Sequence, residues 1–148
     1  MRTAVTLAAL PLVVDAIVLI SETADEDGDR GVDQSTWTEK SFMPGEFFPT
    51  FNDVDKLVLQ IDDGKTQLPP PQFDRPYLWG RLLLIQIPDE HDLRLMCNDP
   101  EPPVYACASL TSSQCIIYHG TEENLVKHGW TLNIVLRHEI AHCNGWLQ

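Results

Sequence analysis

Apolar positions along the chain change their spacing from segment to segment, and the spacing predicts the elements. "DKLVLQID" at 55–62 alternates apolar and polar residues and predicts a strand. "YLWGRLLLIQIP" at 77–88 is the strongest strand candidate and ends at Pro88. "VYACASL" and "QCIIYH" are short β-rich runs joined by a polar, turn-forming stretch, which predicts a hairpin. "TLNIVLRHEIAHCN" carries Leu132, Val135 and Leu136 at helical spacing, with Thr131 as N-cap and Gly145 as the stop, so it predicts one helix. Between these, "QLPPPQF" at 67–73 has three prolines without amide donors and predicts an extended connector. "EHDLRLMC" fits helix or strand, and "GTEENLVKHGW" predicts a loop or short helix ending at Gly129. Strands first and a helix last predict an α+β fold.

Composition narrows the function classes. The 148 residues are 43% hydrophobic, enough for one domain with a real core. With 10 Lys+Arg against 22 Asp+Glu the net charge is -12, which argues against a nucleic-acid partner and against charge-driven binding to anionic lipid. Residues 1–21 open with Arg2 and a mostly apolar run, so they read as a signal peptide or, through residues 3–20, a membrane anchor. Val14-Asp15-Ala16 offers a cleavage site, while Asp15 inside the apolar run opposes insertion, and a buried strand is the alternative. Residues 22–46 are polar and acidic and predict a flexible linker or loop, leaving 47–148 as the folded domain. Asp25, Asp27 and Asp29 alternate as in a calcium loop, but Arg30 and Thr36 stand where its glycine and glutamate belong, so a solvated loop is expected.

Four cysteines, Cys97, Cys107, Cys115 and Cys143, suit two disulfides in an exported protein, periplasmic or extracellular. A bridge across the hairpin would join Cys107 to Cys115 and leave Cys97 for Cys143. Reduced buried thiols or zinc ligation are the alternatives, although no C-x-x-C spacing is present to favour zinc.

The chemistry concentrates in His138-Glu139-Ile140-Ala141-His142. On a helix, side chains four apart share a face, so both imidazoles can grip one zinc ion. Glu139, one residue after the first ligand, is placed to take a proton from a water whose pKa the metal lowers towards about 7. Two histidines and a glutamate buried without partners would be costly, and a metal resolves that cost. The bland alternative is an exposed helix end.

"RHEIAHCNGW" resembles a set of small bacterial and phage-encoded zinc peptidases carrying H-E-x-x-H-C-N-G-W, and "ACASLTSSQCIIYH" looks like the cysteine-bearing hairpin before that motif. The resemblance covers roughly the last fifty residues. It implies a small zincin-like domain: a short sheet or hairpin, a C-terminal helix bearing the site, Zn2+ on His138 and His142, Glu139 as general base, and a peptide or protein substrate. H-E-x-x-H-x-x-G is also similar to the start of the metzincin signature, with Gly145 at the turn. That signature's third ligand falls on Gln148, and an amide is a poor zinc ligand. A later helix with an acidic ligand is not present in the sequence. The resemblance therefore implies a truncated copy, a third ligand from upstream, or one from another subunit. Upstream, His119 is the first candidate, as ligand or oxyanion contact, then His91 and His128; each also reads as an ordinary surface or hydrogen-bonded histidine. The "CIIYH" strand is a candidate edge for pairing with substrate, which would bring Tyr118 or His119 to the oxyanion. Trp146 is expected to cap the core and Asn144 to shape the helix-ending turn.

Two further functions compete with the hydrolase. One is an inactive relic of such an enzyme. The other is a secreted, disulfide-stabilised module whose acidic surface binds a cationic partner.

Overall fold

The structure is a computed structural model that describes residues 31–61 and 68–147. The export segment 3–20, the Asp25, Asp27 and Asp29 triplet and Gln148 lie outside the described residues. Among the described residues a mixed four-stranded sheet and four α-helices give an α+β fold. The elements are β1 (Thr38–Phe42), α1 (Asp53–Ile61), β2 (Arg81–Gln86), α2 (Glu90–Cys97), β3 (Ala106–Leu110), β4 (Gln114–His119), α3 (Glu122–Lys127) and α4 (Leu132–Cys143).

The strand order is β1-β2-β4-β3. β1 runs antiparallel to β2, β2 parallel to β4, and β3 antiparallel to β4. The hairpin forms as expected, but β4 is central and β3 is the edge. "CIIYH" therefore spends its main-chain groups on both neighbours and cannot be the strand that takes substrate. The turn of that hairpin reaches across to β2: a Cβ on Gly80 would meet the Ser113 carbonyl oxygen at 2.2 Å, so only glycine fits there.

Alternation along β4 sorts the two faces of the sheet. Cys115, Ile117 and His119 are buried on one face with Leu82 and Leu84 of β2. α4 covers this face, and Leu136, Ile140 and Cys143 complete a single core with Tyr77. These helix positions recur at four and three residues, the spacing that faces one side of a helix. Thr131 caps the helix by accepting from the Ile134 amide, as expected.

Three expectations change. Residues 55–61 of "DKLVLQID" lie in helix α1, not in a strand. Its apolar residues also satisfy helical spacing, and a reciprocal cap decides the matter: Asp55 N donates to Asn52 Oδ1 while Asn52 N donates to Asp55 Oδ2. β1 lies inside the stretch read as linker, because an edge strand exposed on both faces carries no apolar alternation. The proline run turns rather than extends, with Phe73 N and Asp74 N both donating to Pro70 O.

The cysteines pair as Cys97–Cys107 and Cys115–Cys143. The hairpin bridge is thus corrected, and the register explains why. Cys107 sits opposite Tyr118, and Cys115 opposite Leu110. Neighbours along a strand point to opposite faces, so Cys107 shares Tyr118's face while Cys115 points to the α4 face. Each cysteine instead bonds to the helix over its own face, Cys107 to α2 and Cys115 to α4. Two disulfides are the mark of an oxidising, exported setting. Among the described residues no helix is long and apolar enough to cross a membrane.

Candidate metal centre

α4 presents its two histidines on the side away from its core face. At about 100° per residue, His138 and His142 lie well round the helix from Leu136 and Ile140. Their Nε2 atoms approach to 3.1 Å. Two nitrogens held by one tetrahedral zinc at about 2.0–2.1 Å stand roughly 3.3 Å apart, so the pair fits one edge of such a site. Without an ion, the same approach requires a hydrogen on one of the facing nitrogens.

The turn after α4 fixes one ring. Gly145 N donates to His142 O at 2.9 Å and Trp146 N to Ala141 O at 3.0 Å, with Gly145 at φ 95°. This is a Schellman turn, which glycine reaches without strain. It folds Trp146 back so that its carbonyl meets His142 Nδ1 at 2.7 Å. A carbonyl only accepts, so Nδ1 carries the hydrogen and the Nε2 lone pair of the neutral ring faces His138. The Trp146 ring stacks on His142 at 5.1 Å and 10°, and meets His138 edge-on at 5.0 Å. Trp146 is thus a cover over the histidine pair rather than a core cap. Asn144 ties the same turn to the proline-rich loop, donating to Phe73 O and Arg75 O.

Glu139 is 8% exposed, and burial pushes its carboxyl up to about 7. It lines a cleft of about 280 Å³ together with His138, Ile134 and Val135 of α4, Trp130 just before it, and residues 103–106 leading into β3. Asp99 from the loop after α2 completes the wall. Trp130, Tyr105 and Asp99 carry no motif, and only the folded chain brings them to His138.

The other histidines lie elsewhere. His119 is buried on β4, its Nδ1 2.8 Å from Gly120 O, and faces a separate cavity shared with Asn133 and Leu136. Leu136 and His138 are about 200° apart round the helix, so His119 stands on the wrong side of α4 to be a third ligand or oxyanion contact. His128 caps α3 and packs its ring against Tyr105 at 5.5 Å. His91 lies on α2 beside Arg94 and Leu95. Tyr118 is on the sheet face away from α4, which removes it as an oxyanion contact. Among the described residues no three His, Cys, Asp or Glu side chains converge on one metal position.

No protein-family model, curated protein or solved structure matches this chain.

Proposed function

We propose that this chain is a small, exported zinc-dependent peptidase of zincin type that hydrolyses peptide bonds. The observation that carries the reading is the approach of the His138 and His142 Nε2 atoms to 3.1 Å on one helix face, with Glu139 buried one residue along. His138 and His142 would hold the ion. Zinc bound there supplies Lewis acidity, lowering the pKa of a water towards about 7 and polarising the scissile carbonyl.

The chain's own groups do the rest. The Trp146 carbonyl keeps His142 in the tautomer whose Nε2 can donate electrons. The Glu139 carboxylate would accept the proton of the attacking water and return it to the leaving amine. β3 is an edge strand whose first residue, Ala106, lines the cleft, so an extended substrate can add along its free side by main-chain bonds.

A second reading rests on the absence of a third ligand among the described residues: a non-catalytic domain that binds zinc loosely. Metal analysis after dialysis separates the two. The peptidase retains about one zinc per chain, lost in His142→Ala, and Glu139→Gln keeps the metal but lowers peptide hydrolysis by about 10²–10⁴-fold. Failure to retain zinc, together with no Glu139-dependent hydrolysis, would falsify the enzyme and leave the second reading.

A further inference from the structure

We propose that the cleft over His138 and Glu139 selects a bulky apolar side chain of an extended polypeptide and rejects an acidic one. Cleavage of that polypeptide rests on the peptidase reading above; the selection rests on the cleft's own chemistry.

The wall is apolar where it is deepest in aromatic surface. Tyr105 and Trp130 stand 5.7 Å apart, ring to ring, and adjoin Val104, Ile134 and Val135. They occupy the joints that matter: Tyr105 immediately precedes the edge strand β3, and Trp130 immediately precedes the cap of α4. A peptide lying along β3 therefore passes the aromatic pair and Glu139 in one stretch. Ile134 lies one turn before His138, about 6 Å along the helix axis. An extended chain advances about 3.3 Å per residue, so the side chain on this wall belongs within two residues of the bond at Glu139. The volume of about 280 Å³ holds one large side chain with its backbone, below the usual range of about 300–1,000 Å³ for pockets enclosing whole ligands.

Charge decides what is excluded. The cleft is lined by two carboxyl groups, Asp99 and Glu139, and by no lysine or arginine. The whole chain adds a net charge of -12. An acidic side chain would find no cation there and would face Asp99, which Glu139→Gln leaves in place, while an apolar one displaces water from the aromatic pair.

The test uses the full chain carrying Glu139→Gln, so that binding is read without turnover. The probes are blocked alanine hexapeptides differing at one central residue: Phe, Leu, Gly, Lys or Asp. Calorimetry should show Phe and Leu peptides binding at least about tenfold tighter than Gly, with Asp weakest, a ratio typical of apolar pockets. Adding Trp130→Ala or, separately, Tyr105→Ser should erase the Phe-over-Gly preference. Equal affinities for Phe, Gly and Asp overturn the proposal, and so does a preference that survives both substitutions in folded protein. If neither double variant folds, the ranking on Glu139→Gln alone decides. Wild-type hydrolysis of the same peptides is scored separately. Preference without cleavage sinks the peptidase and keeps the selective cleft; cleavage without preference does the reverse.

Discussion

Asp55 is a carboxylate with no exposed surface, and it holds the front of the site helix in place. It accepts from the Thr131 hydroxyl, from Asn133 Nδ2 at 3.0 Å and from its own cap partner Asn52 N at 2.7 Å. Burial by itself would raise its pKa, but these donors outweigh burial and the carboxyl sits below the usual aspartate range. Removing it orphans donors on both α1 and the start of α4. Asp55→Ala should therefore cost on the order of 3 kcal/mol in urea unfolding, more than a surface substitution such as Glu123→Ala, which should stay within about 0.5 kcal/mol. Equal effects would show that the α1–α4 link contributes nothing. Arg137 makes a comparable clamp at mid-helix, pairing with Asp74 while its guanidinium lies over Phe48 and Phe51 at 4.7 and 4.0 Å. Neither group was visible as special in the sequence, because a lone aspartate or arginine takes its meaning from the surfaces it joins.

α4 is the element whose reading from sequence held best, and its cap, length and stop are local properties. Its capping threonine, helical spacing and terminal glycine all lie within the segment itself. The hairpin was legible for the same reason. α1 was not, since Leu57, Leu59 and Ile61 fit a two-residue period while Val54, Val58 and Ile61 fit a helical one, and the Asn52–Asp55 box decides between them. β1 was hidden because a strand exposed on both faces has no pattern to read. The disulfides required knowing which face each strand residue takes, and the walls of the cleft required the whole topology. The pairing found has its own consequence for α4: Cys115–Cys143 fastens the last turn of the helix, next to His142, to the centre of the sheet. Replacing both by serine should destabilise by about 2–4 kcal/mol and weaken zinc retention in equilibrium dialysis. The Cys97–Cys107 pair closes a shorter loop on α2; its replacement should leave zinc retention unchanged. Identical losses of zinc from both variants would refute a specific role for the α4 bridge.

For the whole molecule, acidity is the condition that tests the fold. Burial first, and then Lys40, lower the pKa of His119 against the opposing Gly120 carbonyl and Glu122. The unfolded chain binds a proton at His119 from about pH 6.5 downward, while the folded chain resists it, so stability declines as pH falls below that value. Asp55 works in a lower window. Its depressed pKa stabilises the fold above about pH 4 and that contribution disappears as pH drops through the folded value. Glu139 works in the opposite direction, because a carboxyl raised to about 7 gains stability as pH falls from there. The His119 step is therefore read on Glu139→Gln, where thermal unfolding should weaken in two steps on acidification and adding His119→Gln should flatten the first between pH 7 and 5. A double variant whose melting temperature still falls as steeply as Glu139→Gln across that interval would assign the first step to another group.

The parallel pairing of β2 with β4 carries a kinetic consequence. These two central strands are joined only by way of α2 and β3, so their ladder cannot zip from a tight turn. It closes after a long excursion of chain has lost its freedom, and such distant contacts slow folding far more than they weaken the finished protein. Refolding should proceed from the early hairpin outward, with the parallel ladder as the slow event and the imidazole pair presented only once that ladder exists to seat its helix.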